Sequence, residues 1–429
     1  MKEMVKRLVW LSLFVLMVPA FIAPSALAAP PLPDTVKVGA LFDTTGPTSD
    51  VGVDYHKGAL SRVRYINEVK GGVERKLKIN LVWSDYGYKI PDAVSLYKKF
   101  RDVDRVVAII GWGTGDTEAL SKLAAEDRIP YISASYSSHL DDPAKTPYNF
   151  YPVASYSDQL RGMLTFFKEL ADQEGIKKPK IVFSYPDHPY GKAPIPAGKA
   201  LAKELGFEIG PDQIVALTAL EAKSQLQAVK SFDADFLWIG GTTASASVTV
   251  RDAREVRVKA RIGVNVWGYD ENMIRLIGKA AEGVYGSTPH RYFGEQDRAP
   301  GMKTILDTWK RFEKPSKTTF RWGTPETPFI ASYVRGWLNV TLLEKALEVI
   351  VENWNTYGEK YKGQITGEAI KEALETLRSW DPEGLVPPIT LTPTDHRPST
   401  TTRIMTIREG RIVPVKEITV ERRPDWLGF

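Results

Sequence analysis

VVAIIGWGTGDTEALSKLAAEDRIPYISA, residues 106–134, decides the fold. VVAIIG is a short apolar run rich in β-branched residues and reads as a buried strand, EALSKLAAED has helical spacing, and IPYISA is a second apolar run. Strand, helix and strand in so short a span make a parallel βαβ unit, because parallel neighbours need a crossover rather than a tight turn. Between the first strand and the helix lie Gly111, Trp112, Gly113, Thr114 and Gly115, with Asp116 or Thr117 as cap of a helix expected to begin near Glu118. Glycines let a backbone approach a ligand closely, and the free N–H groups of a helix start favour an anion such as a carboxylate. Thr114 adds a hydroxyl. The same segment also reads as an ordinary βα turn.

The rhythm extends both ways. Upstream, TVKVGALF (35–42) and KLKINLVW (76–83) read as strands, each followed by a helical stretch. After TPYNFYPVASYSDQ it restarts: a helical run at 158–174, then strands KIVFSY (180–185), DFLWIG (235–240) and ARIGVNVW (260–267), with helices between them. Long helical stretches follow at about 299–313 and 325–352, and the tail is β-rich. The expected fold is α/β, with two doubly wound lobes and a cleft between them where ligands sit at the carboxyl ends of strands. The expected division is lobe 1 from 35–154 plus about 287–380, and lobe 2 from 155–286 plus about 385–429.

MKEMVKR followed by LVWLSLFVLMVPAFIAPSALA and the small-residue pattern Ala26-Leu27-Ala28 reads as a secretory signal over 1–28. The run is long enough to anchor a chain in a bilayer, but Pro19 and Pro24 interrupt it, so cleavage and a periplasmic location are expected. The chain has 57 Lys and Arg against 52 Asp and Glu, a net +5; the leader holds three cations and one acid, net +2, which leaves +3. That even, interspersed balance argues against a nucleic-acid footprint, which needs clustered Lys and Arg. There is no cysteine, so thiol nucleophiles, Cys-based zinc sites and lipid attachment are excluded together. The five histidines, His56, His139, His188, His290 and His396, lack metal-ligand spacing, and no metal or cofactor is expected.

IPYISA runs into Ser135-Tyr136-Ser137, so adjacent parallel strands would bring Thr114, Ser135 and Ser137 to one polar group, although serine-rich turns also form for local reasons. Tyr190 precedes a second-lobe helix, and Thr242 and Thr243 follow a strand. Trp112, Tyr136, Tyr190 and Trp267 stand near strand ends, as the walls of a small-molecule cleft or as packing aromatics. No G-x-S-x-G, H-E-x-x-H or P-loop occurs, and His188 beside Asp187 is the best general-base candidate, although the pair reads more readily as a solvated turn.

VKVGALFDTTGPTSDVG (36–52), KGALSRVRYINEVKGG (57–72), the glycine-ended strand with its hydroxyl loop at 106–117, IPYISAS at 129–135, D-x-x-Y-G at 187–191, the G-G after the strand at 235–241 and R-E-G-R at 408–411 occur in order over nearly the whole chain. Together they resemble the type I periplasmic solute-binding proteins of ABC importers, in the branched-chain amino-acid group. The resemblance implies two lobes joined by three crossing segments that close over a ligand. It also implies that Thr114, Ser135 and Ser137 hold an amino-acid carboxylate and ammonium, with the backbone of Tyr136 beside them, and that Tyr190 and Thr242 contact the ligand from lobe 2. The family's acidic partner for the ammonium has no match here. The strand runs into Asn265-Val266-Trp267-Gly268-Tyr269, and Asp270 stands a few residues on. The implied function is capture of a hydrophobic amino acid or related carboxylate for a membrane ABC permease, without catalysis. Aromatic acids or amides compete as ligands, and a sensor partner or a secreted hydrolase using His188 competes as function.

Overall fold

The computed structural model describes residues 29–292, 295, 297–312 and 331–423. The expected leader, the start of the helical stretch at 325 and the end of the tail lie outside the described residues.

The first lobe opens with β1 (Thr35–Phe42), α1 (Ser49–Arg64), β2 (Lys78–Asp85), α2 (Ile90–Lys99), β3 (Ile109–Ile110), α3 (Thr114–Asp127), β4 (Tyr131–Ile132) and β5 (Asn149–Phe150). Its sheet is parallel throughout, in the order β2-β1-β3-β4-β5. The chain then passes to α4 (Tyr156–Gln173), β6 (Lys180–Tyr185), α5 (Pro189–Lys192), α6 (Ile195–Glu204), β7 (Glu208–Ile209) and β8 (Gln213–Ile214). It continues through α7 (Lys223–Ser231), β9 (Phe236–Ile239), α8 (Thr243–Glu255), β10 (Arg261–Val264), α9 (Glu271–Ile277) and β11 (Tyr285–Ser287). A second pass leads to α10 (Pro300–Phe312), α11 (Ala331–Glu352), α12 (Trp354–Lys360) and α13 (Gly367–Glu375), and a third to the hairpin β12 (Thr401–Arg408) and β13 (Arg411–Thr419). The second sheet runs β13-β12-β11-β10-β9-β6-β7, with β8 also on β6.

The β-rich tail therefore joins the second sheet, antiparallel to β11, around a Glu409-Gly410 turn in which both residues have positive φ. That is the geometry a tight hairpin requires. At the start of that β-rich tail, PPITLTPTDH (387–396) forms only isolated bridges. Helices α10, α11 and α13 pack into the core of the first sheet. Helix α11 crosses α1 closely: a side chain at Gly58 would strike the Tyr333 carbonyl, and one at Gly336 the Tyr55 carbonyl. Small residues at the crossing let the backbones meet.

Two local expectations are corrected. Helix α3 begins at Thr114, not near Glu118, with extended Gly113 as its N-cap residue. Asp116 and Thr117 do not cap it. Asp116 turns inward to accept the Tyr86 and Tyr131 hydroxyls at 2.5 and 2.6 Å, and Thr117 donates to the Gly113 carbonyl at 2.6 Å. The strand expected over 260–267 stops at Val264, because the Asn265 side chain accepts from Gly268 N at 3.1 Å and folds Val266–Gly268 into a 3₁₀ turn.

Candidate functional site

The cleft is held from the first lobe by the loop after β1. Asp43 accepts from the Gly46 and Thr48 backbone N–H groups at 2.5 and 2.9 Å and from the Thr48 hydroxyl at 2.6 Å. Thr48 in turn accepts the Trp112 indole N–H at 2.8 Å, which fixes the first aromatic wall. Because β3 and β4 are neighbours, their following loops lie side by side. Thr114 Oγ1 is 2.8 Å from Ser135 Oγ, which is 2.9 Å from Ser137 Oγ, so the three expected hydroxyls form one buried chain. Tyr88, left-handed at φ +59°, lays its ring over Gly113, where a side chain would collide with it. A non-glycine residue in that region is strained, and such strain gathers at ligand sites.

From the second lobe, Tyr190 donates to the Gly241 carbonyl at 3.0 Å and accepts from Asn265 Nδ2 at 2.6 Å. Trp267 meets Trp112 edge-on, ring centroids 4.9 Å apart, and donates its indole N–H to Tyr156 Oη at 2.7 Å. Between these walls lies a narrow space of about 20 Å³. Thr48, Tyr88, Trp112, Thr114, Tyr190 and Trp267 are among the residues that border it, with Tyr156 and Thr242, and among the described residues no carboxylate, lysine, arginine or histidine lines it. Burial pushes the Tyr156 and Tyr190 phenols above the ordinary range, so they stay neutral, able both to donate and to accept. The lining, mostly aromatic with a few convergent hydroxyls, has the chemistry that suits an apolar ligand with one polar end.

The periplasmic binding protein description matches residues 35–411. The chain belongs to that family. An ABC transporter substrate-binding protein from Aeropyrum pernix is 34% identical in sequence, with TM-score 0.79 over 92% of this chain and 98% of the other. A branched-chain amino-acid ABC transporter protein from Thermus thermophilus, solved with bound valine, has TM-score 0.79 at 23% identity over 91% and 98% of the two chains. The leucine-specific-binding protein of Salmonella typhimurium is 22% identical over 311 residues, 71% of this chain and 80% of that one. The protein is thus a substrate-binding protein of the ABC transporter type, extracytoplasmic by family, with the fold of transport proteins rather than enzymes.

In this periplasmic binding protein the sequence-chosen residues fall into two groups. Trp112, Thr114, Tyr190 and Thr242 border the cavity. Ser135, Ser137 and Tyr136 lie one layer behind, the serines through the hydroxyl chain and Tyr136 stacked on Trp267 at 5.7 Å. Asp270 does not reach the cavity. It is fully buried, accepts the Thr243 hydroxyl at 2.9 Å, and caps α9 through Asn272 N at 2.9 Å. His188 accepts from Tyr190 N through Nδ1 at 3.2 Å and stacks on Tyr88 across the cleft at 5.1 Å. Burial lowers its pKa, so it serves as a neutral contact between lobes.

Sequence reading passed over Tyr88, Tyr156 and Asp50. Asp50, at the start of α1, accepts from Ala244 N in α8 at 2.8 Å, a hydrogen bond from one lobe to the helix start of the other. Its signal was present in the T-G-P-T-S-D loop, but the target amide is far away in sequence. Among the described residues no cluster of His, Asp and Glu is placed to hold a metal ion.

Proposed function

We propose that the protein captures a small hydrophobic amino acid or related organic carboxylate between its lobes and delivers it to a membrane ABC permease after removal of the leader at 1–28. The observation that carries this reading is the interlobe cavity itself, with the Thr114 hydroxyl and the start of α3 on one side, Tyr190 and Thr242 on the other, and aromatic rings around them. A carboxylate at Thr114 would meet hydroxyl and helix-start amide donors, which are favourable for an anion. The aromatic walls favour aromatic acids and amides as a second ligand class. On this reading 35–154 with about 287–380, and 155–286 with about 385–429, move as the two closing bodies.

Thr114→Ala combined with Ser135→Ala is expected to weaken binding by an order of magnitude or more, since a donor to a charged group contributes about 1.5–3 kcal/mol. Titration calorimetry checks it, and unchanged affinity in the folded double variant would remove the hydroxyl chain from the site.

Asp50 makes capture sensitive to pH. In the closed arrangement burial pushes its pKa up to about 6, and the charge of Asp270 adds to the rise, while the Ala244 N–H and Thr242 hydroxyl oppose it. Opened to water, the carboxyl would return to about 4. The closed form then holds the proton more tightly, so closure gains as pH falls through 6 and the gain levels off below the open-state value. Asp50 is only half-buried, so the expected effect is discounted to a roughly three- to tenfold rise in affinity between about pH 7 and pH 5. Asp50→Asn should flatten that dependence. Parallel pH profiles for wild type and variant would count against the assignment.

A further inference from the structure

Close to the cleft stands a cation that no part of the capture reading uses. Arg335 is fully buried on α11. Its Nε–H donates to His290 Nε2 at 3.0 Å, Nη1 reaches Ser332 Oγ at 3.3 Å, and Nη2 has no hydrogen-bond partner. A guanidinium only donates, so His290 Nε2 is the acceptor and its Nδ1 carries the proton, donated to the Arg291 carbonyl at 2.8 Å. Burial, with Arg335 beside it, holds His290 well below its ordinary pKa, and a neutral imidazole offsets none of the charge.

Among the described residues no carboxylate forms an ion pair with Arg335. The two acids that feel it, Asp270 and Glu271, are committed elsewhere: Asp270 to Thr243 and Asn272, Glu271 to Ala331 N at 3.2 Å. Burial raises both, and takes Glu271 to about 7, so that Glu271 carries less than a full charge near neutrality. Arginine keeps its proton, so the region holds a positive charge out of water, and such a charge is costly until an anion comes near.

That charge lies directly behind the ligand wall. The guanidinium carbon is 4.8 Å from the centre of the Trp267 ring, and Trp267 borders the interlobe space. Tyr136, stacked on the same indole, has a fully buried hydroxyl with no hydrogen-bond partner. An ammonium group in the space would find no acid in its lining, and Arg335 already occupies the cation site over Trp267. Of the acids beside the lining, Asp43 is spent on Gly46 and Thr48, Asp116 on Tyr86 and Tyr131, and Asp50 gives one oxygen to Ala244 N.

We propose that Arg335 sets the charge class of the ligand: a small apolar or aromatic carboxylate without an ammonium group, held at the Thr114 hydroxyl that Ser135 supports from behind and offset by Arg335 through the Trp267 wall. This deepens the capture reading above and rests on it.

The test is calorimetry of the purified protein at neutral pH with matched probes: 4-methylpentanoate against leucine, 3-phenylpropanoate against phenylalanine, and 3-phenylpropanamide. At least one acid should bind about tenfold or more tightly than its amino acid. Arg335→Gln should weaken that acid by about tenfold or more and the amide by less than about threefold, and Arg335→Lys should restore part of the loss. The proposal is overturned if an amino acid binds as tightly as its matched acid, or if a folded Arg335→Gln variant keeps the acid-to-amide ratio. Should that variant fail to fold, the wild-type pairs and the lysine variant decide. Binding of amino acids alone overturns this inference and leaves capture standing, whereas no binding by any of the five probes overturns both.

Discussion

Trp267→Ala is expected to weaken ligand capture by about 100-fold or more, while the ligand-free protein loses only a few degrees of melting temperature. The asymmetry follows from where the indole makes its contacts. Trp267 sits after β10 in the second lobe, yet its ring packs against Trp112 at 4.9 Å, Tyr136 at 5.7 Å and Tyr55 at 6.2 Å, all from the first. Its N–H bonds Tyr156, whose hydroxyl donates to the Ala134 carbonyl at 3.1 Å. The three ring contacts run between the lobes and would be lost on opening, so deleting them raises the free energy of the closed arrangement more than that of an open one, whereas the bond to Tyr156 lies within the second lobe. Affinity falls by the lost fraction of the competent form as well as by the lost ligand contact. Truncating a buried Trp costs about 3–5 kcal/mol in a packed core, and each 1.4 kcal/mol is tenfold, so 100-fold is the conservative end. Trp267→Phe keeps a ring and loses the bond to Tyr156, and should fall about tenfold. Titration calorimetry and thermal melts on both variants check this; an alanine variant within about threefold of wild type would mean the cleft closes without the indole.

How much of this site could be read in the chain depends on how far apart its partners stand. Thr114, Ser135 and Ser137 were legible because β3 and β4 are consecutive strands, and a parallel βαβ unit forces the loops after them into contact. The doubly wound lobes were legible for the same reason, since each alternation of strand and helix is local. The start of α3 was misread because Asp116 is an apt capping residue by type, and only the folded chain shows that Tyr86 and Tyr131 hold its carboxylate inward. Asp270 was drawn toward the ligand by its position after a strand, yet it caps α9. Arg335 and Asp50 illustrate the limit. Their partners, Trp267 and Ala244, are brought near only by crossings between lobes, which no periodicity encodes. The one local sign of Arg335 was a charge in the otherwise apolar run ASYVRGWL, on a helix the fold buries on every side.

Glu344→Gln is expected to be the most destabilising single change away from the cleft, lowering the stability of the first lobe by about 3–5 kcal/mol with little effect on ligand affinity. Glu344 is buried on α11 and binds Arg62 of α1, Nε to Oε2 at 2.8 Å and Nη2 to Oε2 at 2.5 Å, while Oε1 takes Lys70 at 2.5 Å. The Arg62 guanidinium also stacks over the Trp337 and Tyr65 rings at 4.9 and 5.3 Å. These contacts lie beside the α1 to α11 crossing where Gly58 and Gly336 let the backbones touch, so the helices cannot separate locally to hydrate the arginine. The neutral amide would leave Arg62 out of water with Glu383 at 3.5 Å as its remaining carboxylate, and that side chain is 38% exposed. An unpaired buried cation is penalised far more than a well-made pair is rewarded. Replacing both partners with apolar residues, Arg62→Met with Glu344→Leu, should therefore recover most of the loss. For a lobe of this size, about 3–5 kcal/mol corresponds to a fall of roughly 10 °C in melting temperature. Calorimetric melting of the single and double variants reads it directly, and a single variant that melts within about 2 °C of wild type would show that water or Glu383 already carries the charge of Arg62.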